Sequence, residues 1–304
     1  MKLSLLVVTF NRPADLLDLL HSVSEQEGAE NVLAEMLILD NGTTVDYAEC
    51  WDFVRRHPQL PIRTLRSEEN LGAAAGKNLL VREARSDALF FLDDDVIFST
   101  PRDLASAAAV LEKDFFREAN AGIVQLRVVH HDTKETQRSA YPHKRRRPSS
   151  EDTEFLTVFI AGGATLMRRE ALDRAGLYPE SATYAMEEYD LGYRVIDAGY
   201  SVGYDPSVTI EHKESREGRV SNDAKLRLQW VNKSAIAWRY LPRRYFVTTA
   251  LMWSLEYVRR VKGRPGTYVR AWRDIVRIPF VERRRPIGAK ALDYLRRVDA
   301  RLWY

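Results

Sequence analysis

The sequence predicts an α/β fold: a mixed, mainly parallel, doubly wound sheet with helices on both faces, followed by a C-terminal helical extension. Two observations predict the sheet. Apolar strand-like runs alternate with helical Leu spacing from the N-terminus to an acidic triplet at Asp93-Asp94-Asp95. Polar clusters then fall where successive strands would end, at Thr9 to Arg12, Asp40 to Gly42 and Asp93 to Asp95. A third predicts the extension: beyond Arg216 the strand signals cease and basic and aromatic residues dominate. The expected units are residues 1–215 and 216–304.

Lys2 to Val8 is an apolar run cut by Asn11-Arg12-Pro13, with no small-residue cleavage site, and reads as the first strand rather than a leader. Pro13 to Glu25 repeats Leu at helical spacing, with Pro13 placed for a first turn. Val32 to Leu39 is the second strand and stops at the turn signal Asp40-Asn41-Gly42. Asp46 to His57 predicts a helix, Pro61 to Leu65 a strand and Gly72 to Glu83 a helix. The strand that reaches Asp93 follows. Pro101 to Glu112 predicts a helix and Gly122 to Val129 a strand. His130 to Thr153 is polar and basic, and predicts a long mobile loop. Phe155 to Met167 is a strand interrupted by Gly162-Gly163. A short helix over Arg168 to Ala175 and a helix over Glu187 to Asp197 come next, then short strands at Ser201 to Tyr204 and Val208 to Glu211. The tail predicts helices over Asn222 to Tyr240, Arg243 to Val261, Tyr268 to Val276 and Ala289 to Arg301.

With 304 residues, 45% apolar and 29% charged, the composition is that of a soluble globular chain long enough for one large domain and an appendage. The single Cys50 excludes an internal disulfide framework and suits a reducing compartment, so a cytoplasmic protein is expected. No apolar run approaches the roughly 18 residues of a membrane span. The basic cluster Lys144 to Arg147 and the basic tail suit phosphate, nucleic acid or anionic lipid, or simply solvated helix faces.

Ala88 to Phe98 organises the chain. Five apolar residues run into three carboxylates, and three apolar residues follow. An uncompensated buried charge is expensive, so a positive partner is expected at this strand end. A divalent cation bridging phosphate oxygens meets that need. A solvated acidic loop is the competing explanation.

Ordered blocks along the chain resemble family 2 of the inverting, nucleotide-sugar-dependent glycosyltransferases, which have the GT-A, Rossmann-like fold. The blocks are Val8 to Arg12, Leu39 to Gly42, Asn70 to Asn78, Asp93 to Asp95, Ala161 to Gly163, Glu187 to Asp190 and Ile210 to Lys213. They cover the first two-thirds of the chain. The resemblance implies a metal-assisted displacement in which a carboxylate base activates an acceptor hydroxyl, in bacterial cell-surface glycan or glycolipid synthesis. It implies a nucleotide-diphosphate sugar as donor, a sugar or lipid-linked glycan as acceptor, and Mn2+ or Mg2+ as cofactor.

On that reading Thr9, Asn11, Arg12, Asp40, Asn70, Gly72, Lys77, Asp93 and Asp94 bind the nucleotide sugar. Asp95 ligates the metal directly, with Asp93 and His212 in the same set; Asp93 touches ribose or a metal-bound water, and Asp94 the donor sugar. Glu188 is the catalytic base and Glu187 supports it or exchanges roles with it. Glu stands here where the family usually has Asp. Gly162, Gly163 and Asp190 lie on the acceptor side, although Asp190 also suits hydrogen bonding to nearby structure. The physical chemistry agrees. Asn70 and Gly72 precede a helix whose free N–H groups could face a diphosphate. Neutral imidazole is a fitting metal ligand. Asp40 before Asn-Gly suits a turn as well as a ribose contact. His21, His57, His130, His131 and His143 have no such context. In Trp230-Val231-Asn232-Lys233 the family's arginine is missing, and Lys233 could replace it as a point charge.

Two other classes compete. A nucleotidyltransferase would carry a Gly-rich basic loop after the first strand, and Asn11-Arg12-Pro13 does not supply one. A nucleic-acid-binding protein would show a binding module, and none is present, so no nucleic-acid partner is expected. Phe246 to Val258, flanked by arginine pairs, suits a helix lying at an anionic membrane surface on the inner face of the plasma membrane. The favoured reading packs its apolar residues on the catalytic domain or in a homodimer interface and exposes only the arginines.

Overall fold

The computed structural model describes residues 1–142, 151–179, 186–214, 222–260 and 265–303. The first half alternates as the sequence requires: β1 (Leu3–Thr9), α1 (Pro13–Ser24), α2 (Ala29–Val32), β2 (Leu33–Asn41), α3 (Ala48–Arg56), β3 (Ile62–Ser67), α4 (Ala73–Glu83), β4 (Ala88–Asp93) and β5 (Val96–Phe98). Then come α5 (Asp103–Val110), α6 (Asp114–Glu118), β6 (Ala121–His130), β7 (Phe155–Thr157), β8 (Thr165–Arg168), α7 (Arg169–Ala175), α8 (Glu187–Asp197) and β9 (Ser201–His212). The tail is α9 (Asn222–Tyr240), α10 (Arg243–Arg260), α11 (Pro265–Val281) and α12 (Ala289–Arg297).

The sheet order is β3-β2-β1-β4-β8-β6-β9-β5, with β7 also on β9. The first four strands in that order are parallel, and β8 joins β4 antiparallel. Register then fixes the working edge. Thr9 lies opposite Asp40, and Val8 lies opposite Asp93, so three strand ends align. Burial on both faces explains why these strands read as continuous apolar runs. Leu3, Leu5, Val7, Phe90 and Leu92 face one core with α1, α3 and α5. Leu6, Leu37, Leu39, Leu89 and Phe91 face the other, with α4, α8, α9 and α12.

The structure departs from the sequence reading in four places. The two short strands expected around residue 205 are one strand, β9, which pairs with β6 on both sides of residues 206–208. A register shift opposite Leu126 and Arg127 lets it pass Pro206, the residue that made the run look broken. The short elements α6 and β5 carry too few residues to show a period. The segment after His130 is folded at its start: Gln137 donates its backbone N–H to Val128 O, and Gln137, Ala140 and Tyr141 are buried. His143 and the cluster Lys144 to Arg147 lie outside the described residues. Finally, the tail does not bury all its apolar residues. The inner faces of α9, α10 and α11 meet around Trp230, whose indole N–H donates to Ala250 O. Val247, Leu251, Leu255 and Val258 remain exposed.

Candidate active site

The acidic triplet sits at the turn joining β4 to β5, between the ends of β1 and β9. Asp94 and Asp95 are buried, and Arg12 bridges them with contacts of 3.1 Å to each. The compensating charge that the sequence argument required is therefore partly Arg12 itself. Arg12, an expected donor contact, also ties Asp94 to Asp95. Asp94 also accepts from Thr9 Oγ1 at 2.8 Å. Burial pushes the Asp94 carboxyl up to about 7, although Arg12 and Thr9 pull it down.

β-Sheet register delivers the histidine. His212 pairs with Val96 in β5, which puts its ring beside Asp95. Nδ1 meets Gln137 Oε1 at 2.9 Å, and Nε2 lies 3.2 Å from Asp95 Oδ1. Burial works against charge on this ring, but Asp95 outweighs it and raises the His212 pKa. Gln137 thus holds the ring with Nε2 aimed at a carboxylate oxygen. An imidazole nitrogen and a carboxylate facing each other are a donor pair that suits Mn2+. Among the described residues no group of three His, Cys, Asp or Glu side chains forms a complete metal cage. A two-residue set fits an ion whose remaining ligands are substrate phosphates and water.

A glycine pair brings the second carboxylate cluster to the first. Gly162 has φ +91°, and a Cβ there would overlap Glu188 Oε1; a Cβ at Gly163 would overlap the Asp93 carboxylate. Gly162-Gly163 is thus a floor with Asp93 against one residue and Glu188 against the next. Lys77, read from sequence as a donor ligand, lies beneath this floor. Its Nζ donates to Gly162 O at 3.2 Å, sits 3.8 Å from Glu188 Oε1 and lies 5.4 Å from the Tyr178 ring centre. Burial opposes its charge, but Tyr178, Glu188 and Asp93 outweigh it, and its pKa is raised.

Glu187 and Glu188 open α8 behind Met186, a non-glycine residue at φ +76°. Burial and the adjacent Glu187 push Glu188 up to about 7, while Lys77 pulls it down. Oε2 of Glu187 is buried with no hydrogen-bond partner among the described residues. Asp190 is two positions further round the helix and faces elsewhere. Its carboxylate is taken up by Arg194, Arg239 and Tyr240, which tie α8 to α9. These contacts make Asp190 a link between the two helices. Lys233 packs 3.6 Å over the Tyr189 ring, so it is not held out as a phosphate clamp.

On the nucleotide side, several residues shape the walls rather than present free groups. Asn11 accepts from Thr44 N at 2.9 Å, and Asn70 accepts from Gly72 N at 2.8 Å and from Asn41 Nδ2 at 3.1 Å. Asp40 accepts from Thr43 N, which is the turn geometry. Gly72 leads into α4 at φ +81° with open space about its α-carbon. Beside Asp40 a cavity of about 350 Å³ is lined by Thr43, Tyr47, Trp51, Arg55 and Arg66. Tyr47 and Trp51 are stacked, their ring centres 5.7 Å apart. The Tyr47 hydroxyl accepts from Arg12 N at 2.7 Å and shares a 2.8 Å hydrogen bond with Thr9 Oγ1.

Sequence reasoning missed Tyr47, Trp51 and Gln137. The signal for the first two was present: Tyr47, Trp51 and Arg55 recur every fourth residue, one helical stripe at the end of a strand. Gln137 carried no local signal, because only the fold of the segment after β6 brings it to His212.

The description Glycosyl transferase family 2 belongs to the family model that matches residues 4–176. That span includes the triplet and the glycine floor but ends before Glu187, Glu188 and His212. An uncharacterized glycosyltransferase of Bacillus subtilis (strain 168), YwdF, is 29% identical over 182 residues, 59% of this chain and 62% of that protein. The O-antigen chain rhamnosyltransferase WbaN of Salmonella anatum is 25% identical over 193 residues, 61% of this chain and 58% of its own. Each alignment thus spans less than two thirds of the relative. Among solved structures, GalNAc-T7 with UDP, GalNAc and Mn2+ matches with a TM-score of 0.65 at 17% identity, over 91% of this chain and 54% of that one. This likeness establishes the GT-A architecture.

Proposed function

This chain belongs to glycosyl transferase family 2, and from that premise we propose that it transfers a sugar from a nucleotide diphosphate to an acceptor hydroxyl with inversion, in one displacement. The observation that carries this reading is the glycine floor, which puts the Glu188 carboxylate and the Asp93 carboxylate on adjacent residues of one surface. A base and a donor-binding group must meet at one anomeric carbon, and the adjacency of these two carboxylates supports that reading.

Glu188 takes the proton of the acceptor hydroxyl as its oxygen bonds to the anomeric carbon, and the nucleotide diphosphate leaves with the electron pair of the broken bond. A raised pKa makes Glu188 a stronger base than an ordinary carboxylate. The orphaned oxygen of Glu187 would accept a hydrogen bond from a bound hydroxyl. Asp95 and His212 would hold a divalent ion such as Mn2+ or Mg2+, which when bound neutralises charge on the leaving diphosphate. Asp93 faces the donor ribose or a metal-bound water. The base stacks in the cavity against Tyr47 and Trp51. The names of GalNAc-T7's ligands and of WbaN support a nucleotide-sugar donor and a bacterial surface glycan as acceptor.

The test is thermal stabilisation by a panel of nucleotides and nucleotide sugars with Mn2+, followed by the anomeric configuration of any product by NMR. A retained configuration overturns the single-displacement reading. Two substitutions probe the site. Trp51→Ala is expected to weaken nucleotide binding by roughly 1–3 kcal/mol, the usual worth of a base-stacking aromatic; titration calorimetry reads it. Gly163→Ala is expected to displace Asp93 and lower kcat/KM by about 10²-fold, since misplacement of reacting groups by an ångström has that scale.

A further inference from the structure

Helix α10 has one inward and one outward face. Tyr245, Thr249, Ala250, Ser254 and Tyr257 are buried inward. Val247, Leu251, Leu255 and Val258 recur at spacings of four, four and three and are each more than half exposed, at 52%, 53%, 65% and 58%. Those spacings form one continuous apolar stripe on the helix. At 100° per residue, Arg243, Arg244 and Arg259 fall within or at the margins of the same face. Trp303, 54% exposed, lies under the Arg244 guanidinium, 5.8 Å from its ring centre, and so borders the stripe at its N-terminal end. Helix α11 repeats the pattern, with Val269, Val276 and Phe280 exposed beside Arg273.

Charge decides what covers this face. Each of the two helices has a single carboxylate, Glu256 and Asp274, and both already pair with arginines. A second copy docked by a two-fold axis would set arginine face on arginine face. An anionic lipid surface neutralises the arginines and takes up the apolar stripe. No helix among the described residues is long and apolar enough to cross a membrane, so the contact lies in the plane of the surface.

We propose that the outer face of α10, with Trp303, docks the protein on an anionic membrane surface. The experiment is cosedimentation of the full chain with phosphatidylglycerol-containing vesicles and with pure phosphatidylcholine vesicles, at low and high salt. Binding is expected to the anionic vesicles at low salt and to fall at least tenfold at high salt or on phosphatidylcholine. Arg243→Gln with Arg244→Gln is expected to weaken it by about fivefold per arginine. Leu251→Ser with Leu255→Ser touches only exposed positions, and is expected to lower vesicle binding at least tenfold while circular dichroism and nucleotide binding stay unchanged. Absence of binding to anionic vesicles at low salt overturns the proposal. So does a dimer, seen by light scattering, that the two serine substitutions dissolve in place of any vesicle binding.

Discussion

Glu188→Gln is expected to leave donor binding intact and to lower turnover by roughly 10²–10⁴-fold, the scale of a lost general base. Glutamine keeps the size of the side chain against Gly162 and removes only the proton acceptor. Glu187→Gln should cost less, because it is the Glu188 carboxylate that lies against Gly162 and 3.8 Å from Lys77 Nζ; the reverse ranking would exchange their roles. The pH profile gives a second readout. The base works deprotonated, and burial with Glu187 holds its pKa up to about 7. The kcat is therefore expected to rise as pH climbs through that value and to level above it. Lys77→Met removes the cation that pulls Glu188 down, so the rise should move to higher pH. Stability runs the other way. Because the folded-state pKa of Glu188 lies above the ordinary carboxylate value, its favourable contribution is full below that ordinary value and is lost as pH rises through about 7. Glu188→Gln should consequently melt higher than the native chain at alkaline pH, which separates loss of chemistry from loss of fold.

Asp95→Ala is expected to abolish Mn2+-dependent stabilisation by nucleotides. Asp95 is the carboxylate that His212 faces at 3.2 Å, and Arg12 keeps Asp94 as a partner when Asp95 is gone. The fold should survive for that reason. The measurement is the melting temperature with nucleotide, with and without Mn2+; a shift that persists in the variant and vanishes with chelator would place the metal elsewhere. His212→Ala should weaken the same response without erasing it, since the carboxylate remains. Gln137→Leu tests the ring's support, and a smaller loss is expected because a group that only orients a ligating ring typically tunes metal affinity by about 10–100-fold.

The amino-acid sequence alone was enough for the parallel half of the sheet. Leu3 to Thr9, Leu33 to Asn41 and Ala88 to Asp93 are apolar because both faces of each strand are buried, and each run stops at a polar residue because the strand leaves the core there. Those stops put Thr9, Asp40 and Asp93 at one edge of the sheet, as the register shows. The resemblance of the ordered blocks implied a shared site for Asp93, Asp95, Glu188 and His212, and the structure brings His212 beside Asp95 and sets Asp93 and Glu188 against adjacent glycines. What the sequence could not decide was who touches whom. Arg12 bridging two aspartates, Lys77 beneath Gly162, and Gln137 against His212 are contacts between residues 75 to 85 positions apart. Local pattern has no term for such pairs. The tail shows the same limit. Periodicity said that α10 is a helix with apolar and basic residues, but Ala250 and Leu251 are adjacent in sequence and only packing against Trp230 buries one and leaves the other in solvent. Burial depends on which surface arrives from elsewhere in the chain, and that is a property of the tertiary structure.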